Sequence, residues 1–171
     1  MRSLLDRLNN PLHLLIALAS TWLVASSPWI GMYQALPDEP GAINLSHVVL
    51  GLATLPLGVV YFAACTVGGR WRLYFPWAAR QFGGIGGDLA GIARGQRPGS
   101  EGGGLFAAIE GLLLLALLAA AITGALWFLG RGTEAAIAWR GHHILAARGF
   151  TGLAILHVLA VSLHVVDLVR D

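Results

Sequence analysis

The sequence predicts an all-α integral membrane protein, a four-helix bundle forming one membrane domain over residues 1–171, and three observations carry that expectation. The first is composition. Of 171 residues, 56% are hydrophobic and 12% charged, with a mean hydropathy of +0.69, well outside the range of soluble globular domains. The second is a set of four apolar runs, at about 12–32, 46–67, 105–129 and 143–168, each near the roughly 20 residues that a helix needs to cross hydrocarbon. The third is charge. All eleven basic residues are arginines. With the four runs as spans, Arg2, Arg7, Arg70, Arg72, Arg80, Arg94, Arg97 and Arg170 fall on one side and only Arg131 and Arg140 in the loops of the other. The positive-inside rule then puts both termini and the long loop at about 68–104 in the cytoplasm. This basicity orients the chain and gives no argument for nucleic acid.

The first run, LHLLIALASTWLVASSPWIGM, follows Arg2 and Arg7 and so resembles a secretory leader. It is longer than a leader's apolar region of about 7–15 residues and is succeeded by further spans, so a retained helix is expected. GMYQALPDEPGAIN follows as an outside loop broken by Pro37, Pro40 and Gly41. The second span opens at SHVVLG. The loop after it holds GGIGG and GQRPGSEGGG, which lack the G-x-G-x-x-G spacing and a preceding soluble strand, so phosphate binding is not expected there. A surface helix near Asp88–Arg94, followed by a flexible turn on the membrane face, is expected instead. Trp71, Trp77, Trp127 and Trp139 stand near span ends, as an interfacial aromatic belt does. Cys65 is the single cysteine, which excludes a disulfide framework, a cysteine-held iron–sulfur cluster and covalent haem attachment.

Ionisable residues inside spans are costly and mark functional sites. The histidines are His13, His47, His142, His143, His157 and His164, and the third span has none. From His143 to His157 is 14 residues, about 21 Å of helical rise with a return to within about 40° of the same face. With the N-terminus inside, His13 opens the first span near the cytoplasmic surface and His47 opens the second near the outer one. His143 begins the fourth span on the outer side, and His157 lies deeper. His47 is therefore level with His143, and His13 with His157. A planar b-type haem takes an axial imidazole from each side, and facing helices are its natural source, so two bis-histidine haem iron sites are expected. Gly51 and Gly152 leave room for a macrocycle. A zinc centre would need three or four clustered ligands, and H-x-x-x-H is absent.

The remaining polar residues are less defined. His142 misses the 14-residue spacing and is expected in the interface, the alternative being that it replaces His143 as a ligand. His164, two turns beyond His157, has two readings: the lining of a quinone or propionate pocket, or an interfacial histidine. Arg148 lies about 140° around the helix from His143 and is expected to snorkel to the outer headgroups or pair with a neighbouring helix, the alternative being a propionate or subunit contact; Arg140 is the better propionate candidate. Glu110, about one and a half turns inside the third span, is either a proton relay for quinone chemistry or a protonated carboxyl bonded to a neighbouring helix.

The sequence resembles the bacterial cytochrome b561 family, including the cytochrome b subunits of nickel-iron hydrogenases, across essentially the whole chain. The resemblance rests on DRLNNPLH, INLSHVVLG and the histidines at 143, 157 and 164. Weaker matches are GGRWRLYFP, GQRPGSEGGG and ITG at 122–124. It implies two non-covalent b haems in a multi-pass protein of the bacterial inner membrane. Electrons would pass across that membrane, in a respiratory chain, between the quinone or quinol pool and a redox partner such as a c-type cytochrome or a dehydrogenase subunit. By resemblance His13 and His157 ligate the cytoplasmic-side haem iron, and His47 and His143 the other. Leu14 departs from a frequent tryptophan, and Glu110 stands where some relatives have histidine. Two roles stay open, an electron-transfer oxidoreductase in its own right and the membrane subunit of a larger dehydrogenase. A different class, a histidine-lined intramembrane transporter of metal ions or protons, would be favoured by inverted repeats or broken helices, which the sequence lacks.

Overall fold

Backbone amides and carbonyls find no partner in hydrocarbon, so a spanning segment that is not part of a closed barrel must be helical. The computed structural model describes the backbone over residues 2–96 and 103–170 and side chains over 11–67, 69–96 and 103–162. Arg97 and the side chains of Arg2, Arg7, His164 and Arg170 thus lie outside the described residues. Among the described residues the regular structure is entirely helical: α1 Arg2–Ser26, α2 Ala42–Thr66, α3 Trp71–Tyr74, α4 Gly83–Ala93, α5 Leu105–Leu129 and α6 Glu134–Arg170. Four segments within these are long and apolar enough to cross a membrane, namely Pro11–Trp29, Ala42–Thr66, Leu105–Leu129 and Glu134–Ser162. Over the described residues the protein is therefore all-α, with four helices able to cross a membrane.

The chain divides into two compact units, Met1–Ala64 with Ala116–Phe150, and Cys65–Leu115 with Thr151–Asp171. In the first, α1 gives way to a short 3-10 turn, Ser27–Trp29, in which Pro28 cannot continue the α-helical ladder. The loop beyond it is tied down through three consecutive carbonyls. Met32 accepts from Arg140 Nε at 3.0 Å, Tyr33 from Trp127 Nε1 at 3.0 Å, and Gln34 from the Gly132 amide at 3.0 Å. The Arg140 guanidinium also lies 5.0 Å from the Tyr33 ring centre. Beneath this strap Met32, Val48, Trp127 and Ala136 form a buried cluster, packed by Leu52, Phe128 and Trp139. Between α5 and α6 the chain reverses at Gly132, whose φ of +83° suits glycine. Glu134 then begins α6 with a carboxylate at the positive end of its dipole.

The glycine-rich stretches belong to the second unit, where they are structural. GGIGG is the first part of α4 rather than a loop, and α4 starts five residues before Asp88. A Cβ on Gly84 would stand 2.6 Å from the Gly103 carbonyl oxygen, so only glycine lets the helix lie against that turn. Asp88 Oδ2 accepts the Leu105 amide at 2.7 Å and caps the first turn of α5 from outside, satisfying one of the amides every helix start leaves unpaired. Gly111 plays a similar part for α3. Its Cα abuts the Tyr74 carbonyl, and an added Cβ would meet Tyr74 C at 2.9 Å and Phe75 Cε1 at 3.1 Å.

Candidate functional site

His47 on α2 and His143 on α6 face one another within the first unit. Their ring centroids are 6.4 Å apart and their planes stand at 87°. Each ring is held through Nδ1. The His143 Nδ1 lies 2.9 Å from the Ala120 carbonyl oxygen of α5. A carbonyl only accepts, so Nδ1 carries the proton and Nε2 keeps its lone pair. The His47 Nδ1 lies 3.1 Å from Ser26 Oγ, whose own hydroxyl is directed at the Leu23 carbonyl at 3.3 Å. With its proton committed there, the serine oxygen accepts from His47 Nδ1–H, and again Nε2 keeps its lone pair. Fixing one ring nitrogen so that the other can bind a metal is the usual second-layer arrangement of metal-ligating histidines.

The donor set is compatible with a haem iron, since both imidazoles are tied at Nδ1 and each keeps Nε2 for a metal. Gly124 on α5 is what lets His143 lie so close, since a Cβ there would be 3.1 Å from both Cε1 and Nδ1 of the imidazole. Among the described residues no three His, Cys, Asp or Glu side chains converge.

The other two candidate ligands fall in different units. His13, on α1, is exposed, with its ring 6.0 Å from the Tyr61 ring at 31°. His157, on α6, has a buried Nδ1 with no hydrogen-bond partner among the described residues. A buried orphan nitrogen is costly, and a bound group or an ordered water normally relieves it. The His142 ring lies against Trp139, with centroids 5.6 Å apart and planes tilted at 59°. Arg148 is exposed. Arg140, the expected propionate partner, is held by the Met32 carbonyl and the Tyr33 ring.

Glu110 belongs to a polar group in the second unit with Tyr74, Arg70 and Cys65. Burial pushes the Tyr74 phenol above its ordinary range, with Cys65 and Glu110 acting in the same direction. The Arg70 guanidinium, hydrogen-bonded to it, partly offsets them. The phenol is therefore a neutral hydroxyl at physiological pH. Histidine spacing alone singled out neither Ser26, Ala120 nor Gly124. Gly124 lies in the short ITG match of the third span, which was its one signal; Ser26 and the Ala120 carbonyl had none beyond a hydroxyl and a backbone group at the right depth.

Neighbouring imidazoles on membrane-crossing helices, each tethered at Nδ1, in a chain without the paired cysteines of covalent haem attachment, are compatible with a membrane cytochrome of the b type. The model of the prokaryotic cytochrome b561 family matches residues 6–168, and the chain belongs to that family. It is a multi-pass membrane cytochrome of the b type, involved in electron transfer, in a family whose members bind haem b. No curated protein and no solved structure matches the chain.

Proposed function

We propose that this chain is a di-haem cytochrome b that carries electrons across the bacterial inner membrane between the quinone pool and a redox partner, with His47 and His143 holding one haem and His13 and His157 the other. The observation that carries the reading is the 6.4 Å pairing of His47 with His143, both anchored through Nδ1. The second pair is supported by the orphaned His157 Nδ1, by the exposed His13, and by the 14 residues of continuous α6 between His143 and His157. The arginine asymmetry supports cytoplasmic termini, which places the His13 and His157 pair near the cytoplasmic surface and the other pair near the outer one.

Bound haem b supplies a one-electron iron couple. The protein's own residues do the rest. Ser26 and the Ala120 carbonyl orient the two rings, and Gly124 admits His143 to its position. The cluster under the Met32–Gln34 strap, with Trp127 and Ala136 at its centre, keeps water from that end of the unit. Quinone chemistry couples electrons to protons, and Glu110 in α5, in the same unit as the Tyr74 hydroxyl, is the candidate for passing them. The redox partner is a c-type cytochrome or the catalytic subunit of a dehydrogenase.

Pyridine haemochrome analysis of the purified protein should give close to two haems per chain; a colourless protein that takes up zinc would overturn the reading. Ser26→Ala tests the tether. Loss of a second-layer partner typically weakens metal binding by about 10- to 100-fold, so one component of a redox titration should shift and its haem dissociate faster, while the other component stays in place. Movement of both components together would separate Ser26 from the His47 site.

A further inference from the structure

Helix α4 shows two unlike faces. Gly84, Asp88 and Gly91 fall within about 60° of arc, and this face is docked: Gly84 on Gly103, Asp88 on the Leu105 amide, and Gly91, which is buried, beside Gln96. Phe82, Ile85, Leu89 and Ile92 fall within a separate arc of about 80°. On that face Phe82 is 58% exposed, Leu89 53% and Ile92 45%, with Ile85 half-buried among them, an apolar stripe left largely uncovered. Exposed arginines stand at its two ends, Arg80 before it and Arg94 after it. Arg94 spends one bond on Gln96 Oε1 at 3.4 Å. Arg80 is held at φ +56°, a left-handed conformation that costs a non-glycine residue roughly 1–2 kcal/mol, so a guanidinium is kept where glycine would be less strained. Between residues 65 and 96 Asp88 is the single acidic residue, against Arg70, Arg72, Arg80 and Arg94, and it is turned to the docked side.

The depth of this helix is fixed by what it caps. Leu105 is the first residue of a membrane-crossing segment, and its amide is bonded to the middle of α4. Helix α4 therefore lies at the level where α5 enters the membrane, the boundary that an apolar stripe flanked by arginines suits. We propose that α4 is an interfacial anchor that binds anionic phospholipid, with Phe82, Leu89 and Ile92 in the acyl boundary and the Arg80 and Arg94 guanidiniums on headgroup phosphates. Its small size leaves it no stable place in water, and the surrounding positive charge selects an acidic surface.

Nitroxide labels on the full chain in phosphatidylcholine bilayers, with and without phosphatidylglycerol, test this. Cys65 is 1% exposed and does not compete for the label. A label at Leu89→Cys should collide with oxygen more than with an aqueous nickel chelate. A label at Gly87→Cys, on the opposite side of the helix where a Cβ meets nothing within 4 Å, should do the reverse. Ile92→Cys reports on the same stripe if the Leu89 variant does not fold. Preference for phosphatidylglycerol should fall about fivefold for each of Arg80→Gln and Arg94→Gln, the equivalent of about 1 kcal/mol per basic residue at an anionic surface. Equal nickel access at residues 87 and 89, or a lipid preference unchanged in the double arginine variant, would overturn the proposal. So would a Leu89 label that sits in water until an acidic redox protein is added, since the stripe would then belong to a protein partner.

Discussion

His47→Ala and His143→Ala should each reduce bound haem from about two per chain to about one, and both should lose the same component of the redox titration. The two ring centroids lie 6.4 Å apart, so on the proposed pairing removing either leaves the other imidazole without its opposing ligand, with its Nδ1 still tethered. Among the described residues no third ligand converges on the pair, and His142, against Trp139 at 5.6 Å, could substitute only for His143. His13→Ala and His157→Ala should remove the other component and spare the first. His142→Ala serves as the control and should keep both haems. If His47→Ala and His13→Ala lose the same component, the ligand pairing is wrong even though the protein remains a cytochrome b. If neither changes the haem content, the histidine assignment fails altogether.

Gly111→Val should be the most damaging change outside the histidines. The Tyr74 carbonyl rests on the Gly111 Cα, and a Cβ would also meet Tyr74 C at 2.9 Å and Phe75 Cε1 at 3.1 Å. The obstacle is backbone, which cannot swing aside as a side-chain tip does. Phe75 and Pro76 just beyond are buried, so α3 cannot lift without exposing them. Overpacking of this kind typically costs about 1–3 kcal/mol, and displacement of Tyr74 would also break up its group with Arg70 and Glu110. A clear fall in the thermal midpoint of the detergent-solubilised protein is expected, together with slower reaction with quinol. Gly87→Ala provides the contrast. A Cβ there meets open space, and alanine is the better helix former by about 1 kcal/mol, so that variant should be neutral or more stable. Equal midpoints for the two variants would show that the Tyr74–Gly111 contact does not constrain the unit.

The difference between those two glycines marks what the sequence by itself could determine. Hydropathy is a local property, and a membrane admits few backbone solutions, so long apolar runs without strand alternation settled the all-helical, four-span character of the protein from composition and length. The absence of C-x-x-C-H was equally legible, because covalent attachment requires residues adjacent in the chain. Helical periodicity put His143 and His157 on one face of α6 for the same reason.

Side-chain tethering, by contrast, depends on residues far apart in sequence. Ser26 meets His47 across 21 positions and Ala120 meets His143 across 23, and no local pattern encodes which hydroxyl or carbonyl will stand at a given depth on a neighbouring helix. The glycines tell the same story. A surface helix near Asp88–Arg94 leaves GGIGG outside it, where the low helix propensity of glycine puts it, yet Gly84 is in helix, held where its missing Cβ lets α4 lie on Gly103 while Asp88 caps α5. Propensity is worth about 1 kcal/mol per glycine, and close packing with a satisfied helix end outweighs it. Only the tertiary structure could decide that, because the contact that wins lies outside the window in which the propensity is read.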